Sequence, residues 1–390
     1  MASKFRRICL MVLDSAGIGE MPDAADWGDA GADTLGHILE SRHVDLPNLQ
    51  AMGLGNIAPL MGLGAVERPT GSYGKCTLKS DGKDTTTGHW EMAGIILKKG
   101  FPTFPDGFPP RIIDEFVLQT NVPGVLGNVP ASGTEIIKEL GEEHVDTGKP
   151  IVYTSADSVF QIAAHEEVVP LERLYEMCKI ARNILRGDDE VARVIARPFL
   201  GEFSTDFKRT ENRHDYAVPP PRNLLPQLKD AGCDVVCIGK IASIYDGIGV
   251  TEDLTAKNND QTIDQTINAL NAESHGLIFC NLVDFDMLYG HRRDTEGYAK
   301  ALEHFDTRLP EIINALNTDD LLIMTADHGN DPTKEGSDHT REYVPLLVYG
   351  KTTTPGVCLG TRQSLSDIGQ TIAENFGVRI ADGTSFLQNF

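Results

Sequence analysis

Three short segments carry the densest chemistry of the chain: DFDMLYGHRRD (Asp284 to Asp294), TADHGND (Thr325 to Asp331) and DHTREYVP (Asp338 to Pro345). Each joins aspartate to histidine at or just past the end of an apolar run. Carboxylate oxygens and neutral imidazole nitrogens form the mixed ligand set of a divalent metal, and loops at rigid strand ends hold such ligands in place. Asp286 and His291 stand five apart and converge if Gly290 turns the chain. Asp327 and His328 are adjacent and would point to opposite faces of a strand, so they share a site only if a bend favoured by Gly329 intervenes. A single Asp-His pair is usually a solvated turn; three clusters within about sixty residues argue for a metal centre. His304 falls on a helical pattern and reads as structural.

Asp14, at the end of the first apolar run, adds a further carboxylate. The SAGIGE segment behind it lacks the lysine of a P-loop and the spacing of a dinucleotide fingerprint, so it reads as a tight turn presenting Asp14. Group transfer at such a centre needs a nucleophile. Two similar segments offer one, Asp33-Thr34-Leu35-Gly36-His37 and Asp84-Thr85-Thr86-Thr87-Gly88-His89. Metal coordination activates a threonine hydroxyl, whereas the common fate of threonine beside Asp and Gly is a cap or a turn. Residue types alone leave Thr34 and Thr85 open.

The elements that must position these residues follow from periodicity. Ile8 to Leu13 runs into Asp14, Leu277 to Val283 into Asp284 and Asp286, Leu321 to Ala326 into Asp327, and Val235 to Ile238 into Gly239-Lys240. Continuous apolar runs of this kind are strands of a parallel sheet covered on both faces. Helical spacing over Thr361 to Phe376 ends at Gly377, and a second pattern over Tyr298 to Leu316 is expected to divide or kink at Pro310. Strands alternating with helices predict an α/β protein with its ligands at the carboxyl ends of the strands. Two proline clusters, FPTFPDGFPP (Phe101 to Pro110) and VPPPR (Val218 to Arg222), read as connectors. They bracket a segment with strands at Ile151 to Thr154 and Arg193 to Ala196 and a helix at Leu171 to Leu185. That segment is expected to be an inserted domain, 101–217, within a core formed by 1–100 and 218–390.

Composition narrows the function classes. The 390 residues carry a formal charge of −22 with 41% apolar residues. Such a surface repels nucleic acid and anionic bilayers. The run from Met1 to Leu13 is too short for a signal peptide, no stretch approaches a membrane span, and a cytoplasmic protein is expected. Seven scattered cysteines argue against a disulfide framework.

Taken together, VLDSAGIGE, GKDTTTGHWE, YTSADSVFQIAAHEEVVP, NRHDY, NLVDFDMLYGHRRD, TADHGNDP and DHTREYVPLL resemble the bacterial phosphopentomutases of the alkaline phosphatase superfamily, from about Arg6 to the terminal GTSFL. The resemblance implies a three-layer α/β/α core with a smaller α/β cap, and interconversion of ribose 1-phosphate and ribose 5-phosphate and their 2-deoxy forms. It implies two Mn²⁺ ions, one on Asp14, Asp327 and His328 and the other on Asp286, His291 and His339. Thr85 would carry the phosphoryl group, primed by a sugar bisphosphate such as glucose 1,6-bisphosphate or ribose 1,5-bisphosphate. In the cap, Ser155 and Asp157 would meet ribose hydroxyls, and Arg193, Arg209 and Lys240 the substrate phosphate, since guanidinium forks suit phosphate oxygens. Arg197 and Arg213 read as surface ion pairs. The partners implied are small pentose phosphates, with no nucleic acid or membrane, for a monomer.

Overall fold

The computed structural model describes residues 3–155 and 157–390. Met1 and Ala2 of the N-terminal run and Ala156 of YTSAD lie outside the described residues. The chain divides into two compact units, Met1–Gly100 with Pro220–Phe390, and Phe101–Pro219.

The first unit is built on an eight-stranded sheet. At its centre Arg7–Leu13 lies parallel to both Gly276–Leu282 and Asp320–Thr325, and every residue of these three strands is buried. Burial on both faces is why the three read as mainly apolar runs, with polar residues such as Arg7, Asp320 and Asn281 near their ends. Asp234–Ile238 and Glu252–Leu254 extend the parallel side. On the other side Val344–Tyr349 runs antiparallel to both Asp320–Thr325 and Ser72–Cys76, with Cys358–Arg362 at the edge.

Helices cover the two faces. Leu13 shares an apolar cluster with Leu35, Leu49 and Leu302, from the helices Thr34–Ser41, Pro47–Met52 and Thr295–Ala315. Leu282, the register partner of Leu13, points the same way, so Phe279 points to the opposite face. There it meets the rings of His89 and Tyr245. The α/β/α layering therefore follows from the pleat of one strand.

Two expectations are corrected. Cys358–Arg362 is a strand, so the last helix is confined to Ser366–Phe376, capped by Gly377 in the left-handed region. Pro310 does not divide its helix, which runs unbroken over Thr295–Ala315. Proline removes the donor to the carbonyl four residues back, here that of Asp306, and Asn48 Nδ2 supplies the replacement at 2.9 Å.

The second unit holds a six-stranded sheet comprising Leu126–Pro130, Ile151–Thr154, Val159–His165, Arg193–Leu200, Lys208–Arg209 and His214–Ala217. Alternation splits its core in two. Phe160, Ile162 and Val194 pack with Phe116 and Leu174, while Ile151, Tyr153 and Phe199 pack with Ile136 and Phe207.

Candidate metal centre

Because the central strands are parallel and in register, Leu13, Leu282 and Thr325 end at one edge of the sheet, and the residues after each of them meet there. Asp14 leaves the first strand through Ser15, whose φ of 70° is a left-handed conformation unusual for a side-chain-bearing residue. The turn is fixed from both sides: the Ser15 backbone N–H donates to Asp327 Oδ1 at 3.0 Å, and Ser15 Oγ lies 3.2 Å from the Tyr298 hydroxyl.

After Gly276–Leu282 the chain enters a π-helical turn over Phe285–Gly290, in which His291 N–H donates to the Asp286 carbonyl at 3.0 Å. A π turn puts residues five apart on one face, so the turn itself, rather than a bend at Gly290, brings Asp286 and His291 together. Gly290 has another use. A Cβ there would stand 2.8 Å from the Asn330 amide, which donates to Asp286 Oδ1 at 2.8 Å.

Past Asp320–Thr325 the chain bends at Asp327 and His328, and Gly329 pairs with Thr340 across an antiparallel bridge that brings His339 back to the same edge. The helix Thr85–Met92, capped by Asp84 through the Thr87 N–H at 3.1 Å, carries Thr85 on its first turn. This helix approaches very closely: a Cβ on Gly88 would lie 2.3 Å from the Asp327 carbonyl oxygen.

Six ligand-type side chains converge in two adjoining sets. In the first, His328 Nε2 lies 3.3 Å from Asp327 Oδ2, 3.6 Å from Asp14 Oδ1 and 3.2 Å from Thr85 Oγ1. In the second, His291 Nε2 lies 3.1 Å from Asp286 Oδ2 and 3.2 Å from His339 Nε2, which lies 3.4 Å from Asp286 Oδ1. The His328 and His339 rings are 4.0 Å apart, so the sets adjoin. Ligands bonded to one ion at about 2.0–2.2 Å stand roughly 3.0–3.5 Å from one another; the separations here run from 3.1 to 3.6 Å. Ligand atoms of His328 also come within 4.8 Å of those of Asp286 and His339, so His328 borders both sets.

Polar neighbours aim these groups. His328 Nδ1 bonds to the Gly329 carbonyl at 3.0 Å and His291 Nδ1 to the Ser337 carbonyl at 2.6 Å, so each ring turns its Nε2 lone pair inward. Asn281 Nδ2 donates to Asp14 Oδ2 at 2.9 Å, leaving Asp14 Oδ1 buried without a hydrogen-bond partner, as is Asp327 Oδ2. Burial, joined by the charges of Asp327 and Asp286, holds the Asp14 carboxyl well above the usual range. Burial also raises Asp327, but His328 and His89 outweigh it and bring that carboxyl to about 2. Burial lowers His328, which keeps its lone pair free. Two buried carboxylate oxygens, Asp14 Oδ1 and Asp327 Oδ2, that lack a hydrogen-bond partner are costly unless a cation lies beside them. The donor set of three carboxylates and three imidazoles fits divalent transition metals.

The second threonine segment has a different place. Thr34 N–H and Oγ1 donate to Glu342 at 2.8 and 2.6 Å, and Thr34 Oγ1 accepts the Asn330 N–H at 3.1 Å. Its hydroxyl is consumed in bracing the loop that follows Asp327 and His328. Burial pushes the Glu342 carboxyl up to about 7 despite its bonds to Thr34 and Thr340.

Lys240 caps the short helix Ile241–Ile244, and its charge acts on Asp14 and Asp284. In the second unit Arg193 lies 3.5 Å from both Asp157 and Asp215, with its Nε buried and without a hydrogen-bond partner. Ser155 follows the strand Ile151–Thr154, and Arg209 sits in an exposed two-residue strand. Arg213 pairs with Asp215 at 2.7 Å. Arg197 is not a surface ion pair: its Nε donates to Gln161 at 3.0 Å, and burial lowers its pKa to about 10.

Sequence reasoning missed Asn281, Asn330 and His89, the last bonded through Nδ1 to the Thr85 carbonyl at 2.9 Å and 3.2 Å from Asp327 Oδ2. His89 was legible as the residue one helical turn after Thr85. The asparagines carry no spacing signal.

Comparison with known proteins places the chain in a family. A family model described as the metalloenzyme superfamily matches residues 6–380. The phosphopentomutase of Symbiobacterium thermophilum is 58% identical over 374 residues, covering 96% of this chain and 95% of that protein. The phosphopentomutase of Caldanaerobacter subterraneus subsp. tengcongensis is 58% identical, covering 98% of each. Among solved structures, a Leishmania mexicana phosphoglycerate mutase superposes with a TM-score of 0.50 at 14% identity over 97% of this chain and 96% of that one, a likeness of fold.

Proposed function

The chain belongs to the phosphopentomutase family of the metalloenzyme superfamily and is an isomerase, and we propose that Thr85 carries the phosphoryl group it moves. The substrates are ribose 1-phosphate and ribose 5-phosphate and their 2-deoxy forms. Asp14, Asp327 and His328 would hold one Mn²⁺, and Asp286, His291 and His339 a second. Bound there, the two ions supply Lewis-acid stabilisation of the phosphoryl oxygens in an in-line displacement.

The chain's own groups account for the remaining steps. The phosphoryl group leaves Thr85 Oγ1 for the free hydroxyl of the pentose monophosphate, whose proton ends on Thr85 Oγ1, and a bisphosphate results. The opposite phosphate then returns to Thr85 Oγ1, whose proton passes to the sugar oxygen that loses the phosphoryl group, and the other isomer departs. A sugar bisphosphate primes an unphosphorylated molecule by the second half of this cycle. His89 orients the Thr85 carbonyl, while Asn281 and Asn330 hold Asp14 and Asp286. Ser155 and Asp157 would bind the ribose hydroxyls, and Arg193, Arg209 and Lys240 the second phosphate. The buried, unpartnered Nε of Arg193 supports its share of this role. Six buried thiols and one exposed thiol, all free, suit a reducing cytoplasm, where a monomer would act on these small molecules; no described helix is long and apolar enough to cross a membrane.

The observation that carries the reading is Thr85 Oγ1 at 3.2 Å from His328 Nε2, within the first ligand set. Its test is manganese-dependent conversion of ribose 5-phosphate to ribose 1-phosphate. Wild type should convert and Thr85→Ala should not; full activity in Thr85→Ala, or release of inorganic phosphate alone by wild type, would refute it.

A further inference from the structure

Arg341 lies two residues past His339 and takes no part in either ligand set, yet its side chain is buried and every one of its five donors is used. Nε and Nη2 donate to Asp23 Oδ2 at 3.1 and 3.0 Å. Nη2 also donates to the Leu78 carbonyl at 2.8 Å, and Nη1 to the carbonyls of Ser80 and Gly82 at 2.8 and 2.7 Å. Trp27 covers the guanidinium at 5.2 Å. The three carbonyls belong to the strand-to-helix loop that ends at Thr85.

A second strap runs alongside. The Arg341 backbone N–H donates to Asp29 Oδ2 at 2.8 Å, and Asp29 accepts Lys83 Nζ at 3.0 Å. Lys83 also lies 3.5 Å from Asp338, the residue before His339. The segment presenting Thr85 and the segment presenting His339 are thus tied at both ends of each.

We propose that Arg341 is a positioning residue for phosphoryl transfer, its planar fork fixing the Thr85 loop against the His339 loop so that the phosphoryl carrier and the second ligand set keep one separation. The inference rests on Thr85 being that carrier. Guanidinium geometry is what the site requires: three carbonyls and a carboxylate lie in directions that a fork of five N–H groups satisfies together. An ammonium has three donors at one point, so a lysine here leaves carbonyls without donors and frees the loop to shift. A displacement of about 1 Å at a reacting group costs on the order of a hundredfold in rate.

The test compares Arg341→Lys, Asp23→Ala and Thr85→Ala as full-length, manganese-loaded proteins, with kcat and KM for ribose 5-phosphate and the melting temperature measured on each. Arg341→Lys should lose on the order of tenfold to a hundredfold in kcat with KM within about twofold of wild type. Asp23→Ala, which removes the acceptor of two donors, should lose kcat in the same direction and to a smaller extent. It decides the matter should Arg341→Lys not fold. Guanidinium ion added to Arg341→Ala should restore part of kcat and leave KM where it was. A lowered melting temperature with wild-type kcat in the folded Arg341→Lys and Asp23→Ala proteins would overturn the inference and reduce Arg341 to packing. Activity retained in Thr85→Ala would instead overturn the assignment of the carrier on which the inference rests.

Discussion

The hydroxyl of Thr85 and Nε2 of His328 are 3.2 Å apart, and Nδ1 of the same ring is committed to the Gly329 carbonyl. The lone pair that would bind a cation therefore also faces the oxygen that would carry phosphate. Replacing Thr85 by serine keeps an oxygen at that place, while alanine removes it. Steady-state kcat should fall by on the order of a thousandfold or more in Thr85→Ala and by about tenfold or less in Thr85→Ser. Equal losses in both would mean that the methyl group, rather than the oxygen, matters.

Gly88 permits the helix Thr85–Met92 to lie against Asp327. A methyl group there would meet the Asp327 carbonyl oxygen at 2.3 Å and its Cβ at 2.8 Å, and backbone of a buried strand end yields poorly. Gly88→Ala should destabilise the protein by about 1–3 kcal/mol and weaken manganese binding, read by thermal melting and metal titration. Unchanged manganese affinity would show that the helix and Asp327 move independently.

Arg7 and Asp320 form a buried bidentate pair, with Nε to Oδ1 at 2.9 Å and Nη2 to Oδ2 at 2.6 Å. They join the starts of two central strands, at the opposite end from the candidate centre. Arg7→Met leaves a buried carboxylate alone and should cost about 3–5 kcal/mol in denaturant unfolding, with kcat of the folded fraction unchanged. A large fall in kcat would show that this end of the sheet is coupled to the site.

His144 in the second unit donates through Nδ1 to the Lys149 carbonyl at 2.7 Å and accepts the His165 N–H on Nε2 at 2.9 Å. Burial lowers its pKa below the ordinary histidine value of 6.5. A neutral native ring against a protonating unfolded one means that its contribution is complete above about 6.5 and declines as pH falls below that value. The urea midpoint should drop between pH 6.5 and 5.5 more in wild type than in His144→Gln. Parallel slopes in the two proteins would contradict this.

Much of the centre was legible because a parallel sheet is written as apolar runs, and acidic residues at their ends must share one edge. Asp14, Asp286 and Asp327 could be found that way, and His328 by adjacency. His339 could not, since the bridge between Gly329 and Thr340 that returns it is a tertiary pairing without local pattern. The π turn at Phe285–Gly290 was hidden for the same reason: its one extra residue per turn has no compositional mark, and in sequence Gly290 looks like the cause of a convergence that the turn itself produces. Pro310 misled in the other direction. Asn48, far away in sequence, supplies the bond that proline removes, and the helix continues.

Transfer of label tests the central claim most directly. The protein is incubated with manganese and ribose 1,5-bisphosphate carrying radioactive phosphate, then digested and the labelled peptide sequenced. The account predicts label on Thr85, discharged to ribose 5-phosphate on its addition. Label on Thr34, or label released only as inorganic phosphate with none on Thr85, would contradict it.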